Sequence, residues 1–381
     1  MKIHQKLAEI LELNQFSSNL AHLKAYGTDA SQLEGVADLI VWPSSVEQVR
    51  QIVRLANTRN FNIVPRGAGT SLEGQTIPDN SVVMDLTHLN KIIGINREDH
   101  YIIVEAGLTL KKLNEVLKRY GLIFPIIPYT ESVATIGGMA ANNSYGKYSF
   151  QYKCFLDNVI EMEIVDGSGK VLNMKRPEKI VGTEGTLAII TQKKLKITKI
   201  PNKSHHVFQF KNAVEMIKHI NTLDEDEIIS MQYFNKTASK MLGQDEVHQL
   251  LVEYNTPTLG EAGNNDKIKK QLMDTLHQTR HYVIKTLQVP EDKLESFLKV
   301  TRRNNIPAFG TFAPNIFQLF FTKGQKRLMQ ELLEQLSKEN VYPLLYGKIH
   351  KQYFPEQDRE DAGKEKKVYD PAHILNKGKR L

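Results

Sequence analysis

The sequence predicts an α+β protein of two domains, the first mixed and the second an antiparallel sheet with helices on one face. Three observations carry this. Short Val- and Ile-rich runs bounded by Gly, Pro, Asp or Asn recur through the first 200 residues, which is the pattern of strands. Helical stretches lie among them without alternating one for one, which argues against a doubly wound parallel sheet. After Pro201 the order changes to strands separated by single helices, and 381 residues suffice for each part to bury its own core. The expected division is residues 1–200, 201–345 and a closing segment 346–381.

The chain opens with "MKIHQKLAEILELNQF", an amphipathic helix without the apolar centre and small-residue cleavage site of a signal peptide. "DLIVWP", "NIVPRG", "SVVMDL", "KIIGIN" and "YIIVEAG" read as strands. Between the first two, "SSVEQVRQIVRLANTRN" starts on serine caps and holds Val46, Val49, Ile52, Val53 and Leu55 at helical spacing. "LTLKKLNEVLKRYG" repeats that pattern and stops at Gly121. In the second domain the order is strand "HHVFQF", helix "AVEMIKHINTL", strand "IISMQYF", helix "KTASKMLG" and strand "QLLVEY". "NDKIKKQLMDTLHQTRHYVIKTL" then reads as a charged helix, followed by "IPAFGTFAPNIFQLFF", helix "KGQKRLMQELLEQLSKEN" and a strand "YPLLYGKIH".

Composition narrows the function classes. Charged residues at 24% and apolar ones at 41% describe an ordinary globular chain, and no apolar run nears the roughly 20 residues of a membrane span. A cytoplasmic location is expected. The single cysteine, Cys154, excludes an internal disulfide framework and a cysteine-based metal site. Net charge is +7, but the lysines are spread along helices and no nucleic-acid motif accompanies them. Nucleic-acid binding is therefore not expected.

Three glycine-rich stretches carry the chemistry. "VPRGAGTSLEGQ" follows an apolar run as a phosphate-binding loop would, yet fits neither familiar motif. A G-x-G-x-x-G fingerprint needs glycine where Leu72 stands, and no G-K-[S/T] tripeptide follows. "ATIGGMAANNSYG" places Gly137 and Gly138 at a helix start, and "VGTEGTLAIIT" makes a third glycine turn before a strand. Small residues let backbone N–H groups reach phosphate oxygens, and a helix start adds unpaired donors. Together the three loops could enclose an extended dinucleotide.

The order "PRGAGTSLEGQ", "ATIGGMAANN", "DNVIEMEIVDGSGKVL", "VGTEGTLAIIT" resembles the FAD-binding domain of the vanillyl-alcohol oxidase/p-cresol methylhydroxylase (PCMH) superfamily, nearest the branch of glycolate oxidase flavoprotein chains and D-lactate dehydrogenases. The resemblance covers about residues 20 to 200 and resumes at "YDPAHILNKGKRL", similar to a D-P-x-x-x-L-N-P-G-K ending with Lys377 in place of proline. It implies a two-subdomain FAD-binding domain, a C-terminal substrate (cap) domain, and a tail that returns to the flavin domain. It implies that Pro65, Arg66, Gly67, Ala68, Gly69, Thr70 and Ser71, with Gln75, cradle the diphosphate. Thr135, Gly137, Gly138, Ala140, Asn142 and Asn143, with Pro128, would line the diphosphate and isoalloxazine side. Glu184, Gly185 and Ile189 would take the adenine side, with Asn376 near the flavin. Where covalent members carry a flavin-linking histidine, this chain has Thr70, which has no nucleophilic nitrogen, so non-covalent FAD is expected.

The second domain departs from that branch. Its metal-binding histidines and acids correspond here to Thr311, Pro314 and Gln318 on one stretch and to Pro343 and Leu344 on another, so no metal is expected. If "YPLLYGKIH" is a strand, the two-residue period puts Tyr346, Lys348 and His350 on one face. They read either as phenol, cation and base beside the flavin or as a solvated strand face. Arg302 and Arg303 read as a surface helix or as partners of a substrate carboxylate or phosphate, and His205–His206 as a strand start. The leading functional expectation is FAD-dependent oxidation of a hydroxylated small molecule, a 2-hydroxy acid or a sugar-type alcohol, with an anionic substrate fitting the charge. Oxygen, a quinone and a carrier protein all stand as electron acceptors. The alternatives are a flavin-bearing partner subunit of a glycolate oxidase-like complex and a reductase of the enolpyruvyl-sugar nucleotide type.

Overall fold

A computed structural model describes residues 3–255, 282–344, 347 and 355–379. The chain divides into two compact units: residues 1–144, 155–199 and 345–381 form the first, and residues 145–154 and 200–344 the second. Tyr145–Cys154, which the sequence division put in the first domain, is thus part of the second unit.

In the first unit, β1 (Phe16–Ser17), β2 (Val36–Val41), β3 (Ile63–Arg66) and β4 (Asp79–Asp85) form a sheet in the order β1-β2-β4-β3. β4 lies parallel to both β2 and β3. The connection from β2 to β3 runs through α1 (Val46–Arg59). Ser45 caps this helix by accepting the Gln48 N–H, and Asn60 ends it in the left-handed conformation. Its apolar stripe of Val49, Ile52, Val53 and Ala56 is fully buried against Leu39, Val41, Val82 and Met84 of the sheet. Each of the valine and isoleucine side chains contributes roughly 1.5–3 kcal/mol when removed from water.

A second sheet is antiparallel: β5 (Ile92–Asn96), β6 (Tyr101–Glu105), β8 (Val159–Asp166), β9 (Val171–Met174) and β10 (Ala188–Lys196), in the order β5-β6-β10-β8-β9. β7 (Leu122–Ile123) pairs separately with β11 (Thr198–Lys199). Val165 and Ile189 of the second sheet join the apolar core of the first, so one core serves both sheets. The expected N-terminal helix is confined to Ile3–Leu7.

The second unit is a seven-stranded antiparallel sheet. Its strands are β12 (Ser204–Phe210), β13 (Ile228–Phe234), β14 (His248–Tyr254), β15 (Tyr282–Gln288), β16 (Ala308–Thr311), β17 (Ile316–Thr322) and β18 (Tyr342–Pro343), in the order β12-β14-β13-β16-β17-β15-β18. Every residue of β13 is buried, so both of its faces are covered. The helix Ser149–Tyr152 packs on β13. One sequence expectation is corrected here. The end of the stretch read as a charged helix is β15, whose Val283, Ile284 and Thr286 are β-branched and pair with Phe321, Phe320 and Gln318 of β17; residues 256–281 lie outside the described residues. Of the strand expected over "YPLLYGKIH", Tyr342 and Pro343 pair with β15 and the Leu344 N–H donates to Thr286 O, while residues 345, 346 and 348–350 lie outside the described residues. No helix among the described residues is long and apolar enough to cross a membrane.

Within this sheet, buried His248 stacks on Tyr233, with its Nδ1 2.8 Å from the tyrosine hydroxyl. Burial, then the charges of Lys236 and Arg302, push its pKa down from 6.5 to about 4. A base depressed in the folded state contributes stability present above pH 6.5 and lost as pH falls toward 4, on the order of 3 kcal/mol. Replacing it by glutamine should flatten that acid limb. The check is urea unfolding by circular dichroism at pH 7 and pH 4.5, with the parent losing markedly more stability between the two than His248→Gln.

Candidate cofactor-binding groove

The three glycine stretches meet in the first unit, around a groove enclosing about 830 Å³ of empty space including its mouth. β3 delivers the first loop, Pro65–Gln75, directly from its C-terminal end. Gly69 sits at φ +67°, and a Cβ there would collide with the Arg66 guanidinium folded beneath the loop. Gly67 is pressed against the Thr135 hydroxyl, so a side chain there would push the first loop off the second. Thr135 in turn caps the short helix Ile136–Ala141, its Oγ1 accepting the Gly138 N–H at 3.3 Å. The third loop is tied to the end of that helix: Gly182 N–H donates to Ala140 O at 3.0 Å and Glu184 N–H to Ala141 O at 2.9 Å.

Arg66 supplies positive charge below the first loop. Its Nη1 donates to Thr28 O at 2.9 Å and Thr76 Oγ1 at 3.1 Å, and it stacks 5.2 Å from the Tyr26 ring centre. Burial lowers its pKa while Asp29 and Asp85 oppose that, and a guanidinium stays charged throughout. Tyr26 donates to Asp85 and accepts from Trp42 Nε1; burial first, then the bond to Asp85, pushes its pKa up to about 12. The phenol therefore remains a neutral donor, and its ring and the two carboxylates hold the arginine in place.

Of the residues singled out in the sequence, Pro65 through Ser71, Gln75, Thr135, Gly137, Gly138, Asn142, Glu184 and Gly185 line this groove. Others do not. Ile189 points into the apolar core, whereas Ala188 and Ile190, one position either side on β10, line the groove; the two-residue strand period decides this. Asn143 Oδ1 accepts the Leu156 N–H, Ala140 is fully buried, and the Pro128 carbonyl closes a turn with Glu131. Leu86, Ala106 and Met139 line the groove without having been singled out, because lone apolar residues carry no motif. Asn376, 301 positions after Gln75, donates from Nδ2 to Gln75 O at 3.1 Å and to Glu184 O at 2.6 Å.

In the second unit, Thr311 Oγ1 donates to Met231 O, and Gln318 and Thr286 hydrogen-bond the Tyr145 hydroxyl. Among the described residues no cluster of His, Cys, Asp and Glu could hold a metal ion. Arg302 and Arg303 are exposed in the last turn of the helix Leu294–Arg303. His205 belongs to a buried ionic group that sequence reading missed: its Nδ1 lies 3.4 Å from Glu253, which also meets Lys147 at 3.1 Å. Tyr346, Lys348 and His350 lie outside the described residues.

A dinucleotide flavin fits the groove on its own terms. Three lining glycines, Gly67, Gly69 and Gly137, would bring a Cβ within 3.0 Å of a neighbouring atom, so the wall there is bare backbone, as a close approach to phosphate needs. Gln75 Oε1 accepts the Glu73 N–H, which orients its Nε2 as a buried donor with no partner in the protein. Asn376 Oδ1 is a buried acceptor in the same condition.

Comparison with known proteins agrees. Residues 37–175 match the family described as FAD binding domain. A mitochondrial D-lactate dehydrogenase [cytochrome] of Arabidopsis thaliana is 36% identical over 181 residues, 44% of this chain and 32% of that protein. Glycolate oxidase subunit GlcD of Bacillus subtilis is 27% identical over 212 residues, 52% of this chain and 45% of that one. The chain thus matches less than half the length of these curated relatives. In fold, p-cresol methylhydroxylase with substrate bound superposes with a TM-score of 0.82 at 14% identity, covering 99% of this chain and 95% of that one. Residues 37–175 thus match an FAD binding domain, and the chain is similar in sequence to D-lactate dehydrogenases and to a glycolate oxidase subunit.

Proposed function

We propose that this protein is an FAD-dependent oxidoreductase that oxidises the CH–OH group of a small hydroxy acid and holds its flavin without a covalent bond. The observation that carries the reading is the convergence of three glycine loops and a half-buried arginine on one groove, two of the loops lying within the residues that match an FAD binding domain. The naming of relatives as D-lactate dehydrogenase and glycolate oxidase subunit supports the substrate class. Bound FAD would supply the hydride acceptor at its N5. The loop N–H groups and the Arg66 charge would hold the diphosphate, and Gln75 Nε2 would donate to the cofactor. Thr70 lines the groove with a hydroxyl and offers no nitrogen for a flavin bond. The hydroxyl proton of the substrate needs a base, and His350, Tyr346 and Lys348 are the proposed catalytic groups, with His350 as the acceptor.

The test is anaerobic flavin reduction. The purified protein should be yellow, release its FAD on denaturation, and bleach with D-lactate, glycolate or D-2-hydroxyglutarate. Flavin that stays oxidised across the series overturns the catalytic reading, while full reduction in His350→Ala removes only that residue's role. A second reading, a flavin-bearing partner subunit, is favoured by one feature: Thr311 and Gln318, which the sequence resemblance aligned with metal-binding positions, are engaged in hydrogen bonds within their own unit. Co-purification with a second redox protein, together with inert flavin, would select it.

A further inference from the structure

The segment that follows the helix Glu356–Tyr369 is bonded to both ends of the groove. Leu375 forms a parallel bridge with Ile63, flanked by Ile63 N–H to Ile374 O and Asn376 N–H to Ile63 O, each 2.8 Å. The segment therefore extends the sheet beside β3, the strand that delivers the first glycine loop. The Asn376 amide joins the Gln75 carbonyl of that loop to the Glu184 carbonyl of the third. Lys379, 2% exposed, donates its ammonium to Ile77 O, just past the first loop. Lys366 donates to Thr186 O, just past the third loop, and to Leu375 O. Gly185 approaches Pro65 on one side and the Asn376 amide on the other.

These contacts do more than bury a tail. Pro65–Gln75 and Glu184–Gly185 belong to different sheets of the unit, and residues 366–379 bond to each. We propose that residues 366–379 act as a clasp whose docking sets the spacing of the two loops and is thermodynamically coupled to FAD binding. The proposal rests on the reading of the groove as an FAD site. The orphaned Asn376 Oδ1 and Gln75 Nε2 support the coupling: both are buried at the junction of clasp and first loop with no partner among the described residues, and Gln75 lines the groove. Lys379 is a positioning residue in this scheme, because it does not line the groove.

Coupling is reciprocal: if FAD stabilises the docked clasp by some factor, loosening the clasp weakens FAD by the same factor. Hydrogen exchange of the whole protein, FAD-free and FAD-loaded, tests the first half without any variant. The Leu375 and Asn376 amides should exchange about fivefold or more slowly once FAD is bound. The second half uses Lys379→Met, with FAD affinity read by quenching of flavin fluorescence. Its dissociation constant should rise by about fivefold or more, and Lys379→Arg should restore it. A lysine that merely stabilises the fold would weaken FAD-free and FAD-loaded protein equally and leave the constant unchanged. Uptake of FAD with unchanged exchange, or with parental affinity in Lys379→Met, overturns the clasp. A parent protein that takes up no FAD at all overturns the flavin reading itself.

Discussion

Replacing Lys193 by methionine should stabilise the first unit, by roughly 2–5 kcal/mol at neutral pH. Lys193 lies on β10, 1% exposed, and its ammonium has no hydrogen-bond partner. Across the ladder it opposes Val104 of β6 and Met162 of β8, so its side chain shares a face with apolar neighbours. Burial alone, with no compensating charge, pushes its pKa down from 10.5 to about 7. The sign follows from linkage. Between pH 7 and 10.5 the unfolded chain holds the proton and the folded chain does not, so stability rises with pH across that window. The gap of about 3.5 between the two values, at 1.36 kcal/mol each, makes the full span on the order of 5 kcal/mol. Methionine fills nearly the same volume without a charge, so it should both raise stability at pH 7 and flatten the pH dependence. The single tryptophan, Trp42, lies in this unit and is bonded to Tyr26, so its fluorescence during urea unfolding reports on this unit alone. Equal midpoints for parent and Lys193→Met at pH 7 would show that the ammonium is solvated after all.

That lysine also shows where sequence reading stops. "TQKKLKI" reads as an alternating strand with a polar face, but a bulge at Thr191 shifts the register between Ile190 and Gln192. Thr191, Lys193, Leu195 and Ile197 are all buried and Gln192 and Lys194 half-buried, so Lys193 lies on the inner face, although nothing in its residue type announces a covered position. By contrast, the helix Val46–Arg59 was legible because its caps and its stripe are both local. The glycine loops were legible for the same reason: a positive φ at Gly69 or a close approach at Gly67 demands one residue type. Ile189 turns its side chain into the core while Ala188 and Ile190 line the groove, since a motif marks a stretch and not which side chains turn inward. The contacts of the tail were out of reach. Lys366 meets Thr186 across 180 residues, and "EQDREDAGKEKKVY" shows no apolar stripe to announce a buried face.

Lys366 and Asp370 form the pair on which that tail depends, and breaking it should cost the first unit about 3–5 kcal/mol. Their side chains are 5% and 0% exposed, with Nζ and Oδ2 2.6 Å apart. Burial lowers the lysine's pKa and the carboxylate opposes this, so the ammonium is held by its partner together with the carbonyls of Thr186 and Leu375. Asp370 is equally occupied, accepting the Ile374 N–H at 3.1 Å and the Leu375 N–H at 2.9 Å. Lys366→Met strands a buried carboxylate, and Asp370→Leu strands a buried ammonium and two amides. Each single change should therefore cost several kcal/mol. The double change removes both charges at once and should cost far less than their sum, a coupling of a few kcal/mol in a double-mutant cycle. Trp42 fluorescence in urea measures all four proteins. Additive losses would mean that the two groups are held independently by the backbone. A large coupling means that the turn Asp370–Asn376, and the loops it bonds to, is organised around one buried ion pair, so its geometry is set by charge neutralisation instead of apolar packing.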